Sequence, residues 1–347
     1  MNRASPLLTT LRRPPWRTVV PLITLALLLL AIYALWSPGV EITDGRHDQR
    51  RNGIWMQHGW LSDDAWFDRN NKTDRIPQFR DEARIAELAR RLQEHGITDV
   101  FPHMAPAQPL GKLPPIHAEQ TERFLQGMEG FRVMPWIGGV LNDHCFPNVP
   151  GWRAGFVRSV QELLQAHPRF SGIHVNIEPW PSGNTDLLLL LDELRAALPP
   201  GKLLSVAAYP PPTRWHPYPD VHWDEGYYRE VARRTDQLAV MMYDTSLRTQ
   251  KVYAWLMAEW TREILAWSGN TPVLLGLPAY DDTGVGYHHP DVENLPTGLK
   301  GIHAALSANG PVPKNYQGVA LYSDWELDDG EWRHFREHFL KPLASSR

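Results

Sequence analysis

The feature that most narrows the fold is an eightfold alternation: from Gly53 to Leu340, short apolar runs of strand length take turns with stretches of helical periodicity. That is the pattern of successive parallel βα units. Candidate strands begin at Gly53 (GIWMQHGW), Thr98 (TDVFPHM), Arg132 (RVMPWIGG), Gly172 (GIHVNIEP), Leu203 (LLSVAAY), Gln237 (QLAVMMYD), Pro272 (PVLLGLPAY) and Gly318 (GVALYSDW). Each is apolar first and polar or aromatic last. Between the first two, Ile85, Leu88, Ala89 and Leu92 make one apolar helix face, and Gly96 is placed to end that helix in the left-handed cap. Val157, Val160, Leu163 and Leu164 mark the third helix, with Pro168 after it; Thr185 can cap a leucine-rich fourth, which Pro199, Pro200 and Gly201 end. A last helix near Trp332 to Leu340 would close a ring. A doubly wound open sheet alternates too, but it calls for a Gly-rich phosphate loop after the first strand, and none is present. The expected fold is therefore α/β, a (β/α)8 TIM barrel.

Ahead of the barrel, the run from Thr18 to Trp36 is uncharged; about 19 residues at 1.5 Å each reach about 28 Å, close to a bilayer core. Arg3, Arg12, Arg13 and Arg17 precede it, so the positive-inside rule keeps the amino terminus in the cytoplasm and sends the rest across. A cleaved signal peptide would have a shorter apolar region, and Ala34-Leu35-Trp36-Ser37-Pro38 lacks a small-x-small cleavage site. The expected organisation is a cytoplasmic basic segment 1–17, a transmembrane signal anchor 18–36, a linker 37–52 and a barrel 53–343. This describes a single-pass protein of the inner (cytoplasmic) membrane with its barrel periplasmic or extracellular. Leu187 to Leu191 are too few to span and read as a helix packed on the barrel.

At 43% hydrophobic and 21% charged the 347 residues are ordinary for a globular chain, and a net charge of -4 with no concentrated basic face argues against a nucleic-acid partner. A single cysteine, Cys145, excludes an internal disulfide framework and any thiolate metal cluster; it reads as a buried small apolar residue rather than a nucleophile paired with His144. Metal and nucleotide cofactors find no support, because HExxH, paired CxxC, Ca²⁺-loop, P-loop and GxSxG patterns are all missing. The pair His288-His289 and the acidic Asp281-Asp282 read as solvated loop residues.

In barrels of this class functional groups lie at the carboxyl ends of the strands. The residues there are Trp55, His58 and Trp60; His103; Trp136; Asn176, Glu178 and Trp180; Tyr209; Tyr243 and Asp244; Tyr280 and Asp281; Tyr322, Asp324 and Trp325. Pyranose rings present C–H faces that pack on aromatic surfaces while their hydroxyls bond polar neighbours, so this mixture suits a sugar cleft. Core filling by tryptophan is the competing explanation, but it does not account for clustering at strand ends.

The fourth strand alternates so that His174, Asn176 and Glu178 share one side of the sheet and Ile173, Val175 and Ile177 the other. A carboxyl buried among apolar and amide groups has a raised pKa, as a general acid at a glycosidic oxygen requires. A structural carboxylate held by a buried arginine is the alternative, yet the one arginine in this strand or those expected beside it, Arg132, opens the third strand at the end away from Glu178.

Gly172-Ile-His174-Val-Asn176-Ile-Glu178 resembles the fourth-strand DGxDxDxE signature of family 18 glycoside hydrolases, the chitinases and endo-N-acetylglucosaminidases. Met242-Tyr243-Asp244 is similar to that family's sixth-strand Met-x-Tyr-Asp, Gly138-Gly139 to its small pair after the third strand, and Trp325 to its floor tryptophan. The resemblance spans nearly all of Gly53 to Leu340 in short, degenerate motifs. It implies substrate-assisted retention, in which the sugar's 2-acetamido oxygen attacks the anomeric carbon and Glu178 protonates the leaving group. Tyr243 would bond the acetamido carbonyl, Trp325 would lie under the ring, and Asp244 would help fix the distorted sugar. The signature's aspartates are replaced by Ser171, His174 and Asn176, and an Asn two residues before the acid resembles family 85 endo-N-acetylglucosaminidases. Two other readings stay open. One is a two-carboxylate hydrolase pairing Glu178 with Asp244, Asp281 or Asp324, with Asn176-Ile-Glu178-Pro179 similar to the Asn-Glu-Pro of barrel cellulases and xylanases. The other is a glycan-binding barrel without turnover.

Overall fold

The computed structural model describes residues 16–61, 64–104, 106–214, 218–282, 284, 286–308 and 310–342, the side chains of 17 and 18 excepted. Most of the expected basic segment, including Arg3, Arg12 and Arg13, lies outside the described residues, as does the expected last barrel residue, 343. The chain forms two compact units, Met1–Ser37 and Pro38–Arg347.

In the first unit the expected anchor forms one helix, α1 (Trp16–Leu35), whose leucines are exposed. Among the described residues no helix is long and apolar enough to cross a membrane. The spanning role therefore rests on the sequence alone.

The second unit opens with β1 (Asn52–Met56), then the short helices α2 (Asp64–Arg69) and α3 (Ile76–Phe79) and the longer α4 (Glu82–Glu94). Next come β2 (Ile97–Pro102), α5 (Ala118–Gly127), β3 (Arg132–Val133), β4 (Trp136–Val140), α6 (Pro150–Ala166), β5 (Gly172–Glu178) and α7 (Thr185–Ala197). The chain ends with β6 (Leu203–Ala208), α8 (Glu225–Ala232), β7 (Gln237–Val240), α9 (Gln250–Trp267), β8 (Val273–Pro278), α10 (Leu295–Ala308), β9 (Tyr316–Tyr322) and α11 (Asp329–His338).

All strand pairings are parallel, in the order β3-β2-β1-β9-β8-β7-β6-β5-β4. The two ends of that order are halves of the single strand expected at Arg132. Pro135 has no N–H to give a ladder, and the strand breaks there. The ring still closes across the break: Met134 N donates to Val100 O at 2.9 Å on one side, while Ser171 N and His174 N donate to Val133 O and Pro135 O at 2.9 and 3.0 Å on the other. Among the described residues nine strands thus make eight staves, and the open doubly wound sheet is excluded.

Helix ends follow local chemistry. Gly96, with φ +64, takes the left-handed position after α4. The cap of α7 is Asn184, not Thr185, because Asn184 sits in extended geometry and its side chain accepts from Leu187 N, leaving Thr185 as the first helical residue. Helix α11 starts before the expected Trp332, since Asp328 and Glu331 form a capping box. Leu187, Leu190 and Leu191 are buried against the barrel, as their pattern implies. Cys145 is buried, and burial pushes its thiol up to about 12, so it stays protonated.

The barrel interior is only partly apolar. Trp55, Phe101, Met134, Ala239, Leu274 and Ala320 pack there as one small cluster, apart from the larger core under the helices. Through it runs a directed chain of hydrogen bonds. Trp55 Nε1 donates to His174 Nε2 at 3.0 Å, which leaves His174 Nδ1 carrying the hydrogen toward Ser205 Oγ at 2.9 Å. Ser205 donates to Gln237 Oε1 at 2.8 Å, and Gln237 Nε2 to Asp99 Oδ2. Asp99, wholly buried, also accepts two bonds from Arg132, at 2.6 and 2.7 Å. Burial lowers His174 to about 3, so its ring is neutral, as the chain requires.

Replacing Arg132 by Met leaves the Asp99 carboxylate buried with only neutral partners. We expect a loss of about 3 kcal/mol near neutral pH, shrinking as pH falls and Asp99 takes up a proton; urea denaturation at two pH values measures it.

Candidate active site

Glu178 ends β5 at the mouth of the barrel. It reaches that position because β4 can come close: Gly138 has φ +133, and a Cβ there would lie 2.0 Å from Asn176 O. The alternation of β5 sets depth. His174 is wholly buried, Asn176 is 5% exposed, and Glu178 is half-buried and faces a cavity of about 290 Å³. Asn176 Nδ2 donates to Glu178 Oε1 at 2.8 Å and Tyr209 OH to Oε2 at 3.2 Å. Burial raises the Glu178 pKa most, the two donors counter it, and the nearby charge of Asp244 adds to the rise. Asn176 Oδ1 is buried and finds no hydrogen-bond partner among the described residues.

Tyr209, Tyr243, Asp244 and Tyr287 line the cavity with Glu178, together with Met241, Ser246 and His222. Of the three aspartates open as a second carboxylate, only Asp244 does so. Asp281 is exposed in the loop after β8, and Asp324 accepts from Gln57 N at 2.8 Å on another wall. Asp244 has φ +62 and is held from behind. Tyr280 OH donates to Asp244 Oδ1, and His288, wholly buried and stacked on Tyr280 at 4.0 Å, has Nδ1 at 3.4 Å from the same oxygen. Glu293, also buried, stands 4.0 Å from His288 Nδ1 and accepts from Thr245 N at 2.9 Å. His288 Nε2 must donate to Tyr280 O at 3.1 Å, because a carbonyl only accepts. Its Nδ1 therefore needs a second proton to face two carboxylates. Burial pushes His288 down, but Asp244 and Glu293 outweigh it and hold the ring above its ordinary value; burial likewise raises Glu293.

The expectation that His288 is a solvated loop residue is thus corrected. It belongs to the wall behind Asp244, reached by a loop that folds back eight residues after Tyr280. His289, Asp281 and Asp282 lie at or near the surface. Neither Tyr287, His222 nor Ser246 was legible as cavity lining, since all three come from loops that carry no periodicity.

The expected aromatic residues divide by depth. A run of ring contacts crosses the mouth: Trp66 stacks on His58 at 4.2 Å, His58 meets His103 at 3.7 Å, and His103 meets Trp136 at 4.3 Å. Trp136 then touches Tyr322, which stacks on Tyr243 at 5.3 Å and meets Trp325 at 5.5 Å. Burial, with Arg69 and Lys72 nearby, lowers His58 to about 3, and burial holds His103 well below its ordinary value, so both rings are neutral. Trp55 and His174 instead fill the barrel interior, Trp60 packs on Phe79 and Phe124, and Trp180 is buried against Trp223 with its Nε1 on Tyr227 OH at 2.6 Å. Those four support the wall and do not line it.

Two substitutions should move the Glu178 midpoint in opposite directions. Tyr209→Phe removes a donor to the charged form and raises it, whereas Asp244→Asn removes a neighbouring charge and lowers it; carboxyl ¹³C NMR titration reads both.

No protein-family model matches the sequence, and no curated protein matches it. Solved structures do resemble the fold. The spore cortex-lytic enzyme SleL of Bacillus cereus is 12% identical, with a TM-score of 0.52 over 83% of this chain and 75% of that one. A chitinase from Bacteroides thetaiotaomicron is 13% identical, with a TM-score of 0.51 over 85% of this chain and 99% of that one. The family 18 glycoside hydrolase chitinase ChiB from the chitin utilization locus of Flavobacterium johnsoniae is 16% identical, with a TM-score of 0.50 over 82% and 93%. At such identities the likeness is one of architecture: this chain has the (β/α)8 barrel fold that those chitinases and the cortex-lytic enzyme have.

Proposed function

We propose that the chain is a glycosidase acting on an N-acetylhexosamine-containing polysaccharide or glycan, with Glu178 as the acid that protonates the leaving oxygen. The observation that carries this reading is the seat of Glu178: a carboxyl with a raised pKa, held by one amide and one phenol, opening on a cavity walled by tyrosines. The shared architecture with chitinases supports the choice of polymer, and the run of aromatic rings across the mouth supports a sugar chain as the ligand. In the proposed chemistry the 2-acetamido oxygen attacks the anomeric carbon, Glu178 gives its proton to the departing oxygen, and the same group later takes one from water. Tyr243 would bond the acetamido carbonyl, Asn176 would stand beside it as an amide where the family 18 signature has an aspartate, and Trp325 would lie under the ring.

Glu178→Gln should cut turnover by roughly a hundred- to ten-thousand-fold while leaving glycan affinity nearly unchanged. Activity should fall as pH rises through the raised Glu178 pKa, because the proton to be donated is then lost. N-acetylated oligosaccharides should be cleaved and their de-N-acetylated counterparts not. Equal cleavage of both would remove the acetamido role and favour Asp244 as a second carboxylate. Binding without turnover by the wild type on every glycan tested would replace the hydrolase with a glycan-binding barrel.

The proposal includes a tether to the inner membrane with the barrel outside the cytoplasm. Its support is in the sequence: the arginines that precede the uncharged run from Thr18 to Trp36. Full-length protein should stay with membranes through an alkaline carbonate wash; release by that wash would overturn the tether.

A further inference from the structure

Away from the mouth, α11 carries His334 and His338 four residues apart, hence on one face of the helix. Their rings are stacked, 4.1 Å between centroids and 11° between planes. Glu41, in the segment that leads into the barrel, meets them: its Oε1 is 2.6 Å from His338 Nδ1. One ligand-type atom from each of the three residues lies within 4.8 Å of the other two. Both histidines are half-buried and Glu41 is exposed.

We propose that Glu41, His334 and His338 form a zinc site, with a fourth position open to water. Two imidazoles and one carboxylate are a donor set that suits a borderline cation with bond lengths of about 2.0–2.2 Å. Small side-chain rotations draw the three donors to that spacing, since none is locked in the core. Any proton on a ligating atom leaves to solvent as the metal takes its place. Lys300 Nζ, 3.0 Å from Glu41 Oε2, holds the other carboxylate oxygen and leaves Oε1 for the ion.

The platform is stiff where it needs to be. His303 Nε2 donates to the main-chain oxygen of His338 at 3.1 Å, and His303 Nδ1 pairs with His47 Nδ1 at 2.9 Å in a buried contact. That pins the last turn of α11. A cation at this turn also complements the negative end of the helix dipole. Bound zinc would staple the entry segment at Glu41 to the last helix of the barrel.

The test is titration of the tag-free full-length chain, stripped with chelator, with zinc chloride by calorimetry and by thermal denaturation. One equivalent should bind with micromolar or tighter affinity, and at about a hundredfold excess over Kd the midpoint should rise by roughly 5 °C. His334→Asn and Glu41→Gln, on separate segments, should each weaken binding at least tenfold while keeping the metal-free midpoint of the wild type. If one variant proves unfolded without metal, the other still decides. Absence of binding below about 100 µM, or variants that bind as tightly as wild type because the zinc sits on others of the fifteen histidines, would overturn the site.

Discussion

The structure depends first on the line of hydrogen bonds that crosses the barrel from Trp55 through His174, Ser205 and Gln237 to Asp99 and Arg132. It links β1, β5, β6, β7, β2 and β3, so most staves of the ring contribute a member. An unpaired polar group in that position would be expensive, and an apolar one would leave its neighbours unpaired. The neutral His174 is the pivot: it accepts from Trp55 through Nε2 and donates to Ser205 through Nδ1.

That interior also explains the division of labour along β5. Three polar side chains share one face, yet their depths differ, and depth decides what each can do. His174 is sealed among Trp55, Phe101 and Ser205 and serves the frame. Asn176 sits between frame and mouth. Glu178 alone reaches open space, where burial raises its proton affinity and Tyr209 limits the rise. The close approach of Gly138 to Asn176 O lets β4 pair with β5 along its whole length, up to Val140 beside Glu178.

The residues legible in the sequence are those that obey a period. Alternation in β5 placed Glu178 and Asn176 on a common face, and apolar-to-polar runs marked the strands that the structure contains, with Pro135 splitting one of them. Depth was not legible, because strand position says which face a side chain takes and not how far it lies from the rim. Trp55 and Trp136 look equivalent in their strands, but one is 1% exposed and the other half-buried at the mouth. Loops were the other gap. His288, Tyr287 and His222 reach the site through turns whose course depends on tertiary contacts, and Glu293 becomes a partner of His288 only once that loop has folded back. The pairing of Glu41 with α11 joins residues nearly three hundred positions apart, and no local pattern announces it.

The wall behind Asp244 has a consequence for the medium in which the cavity can keep its character. Exposed pairs such as Arg46 with Asp44, at 61% and 52% side-chain exposure, fade as ionic strength rises. His288 and Glu293 are wholly enclosed, and dissolved ions cannot come between them and Asp244. Asp244 itself is 36% exposed at the cavity, so salt reaches it from the open side only, and its attraction to the enclosed His288 is screened less than that of the surface pairs.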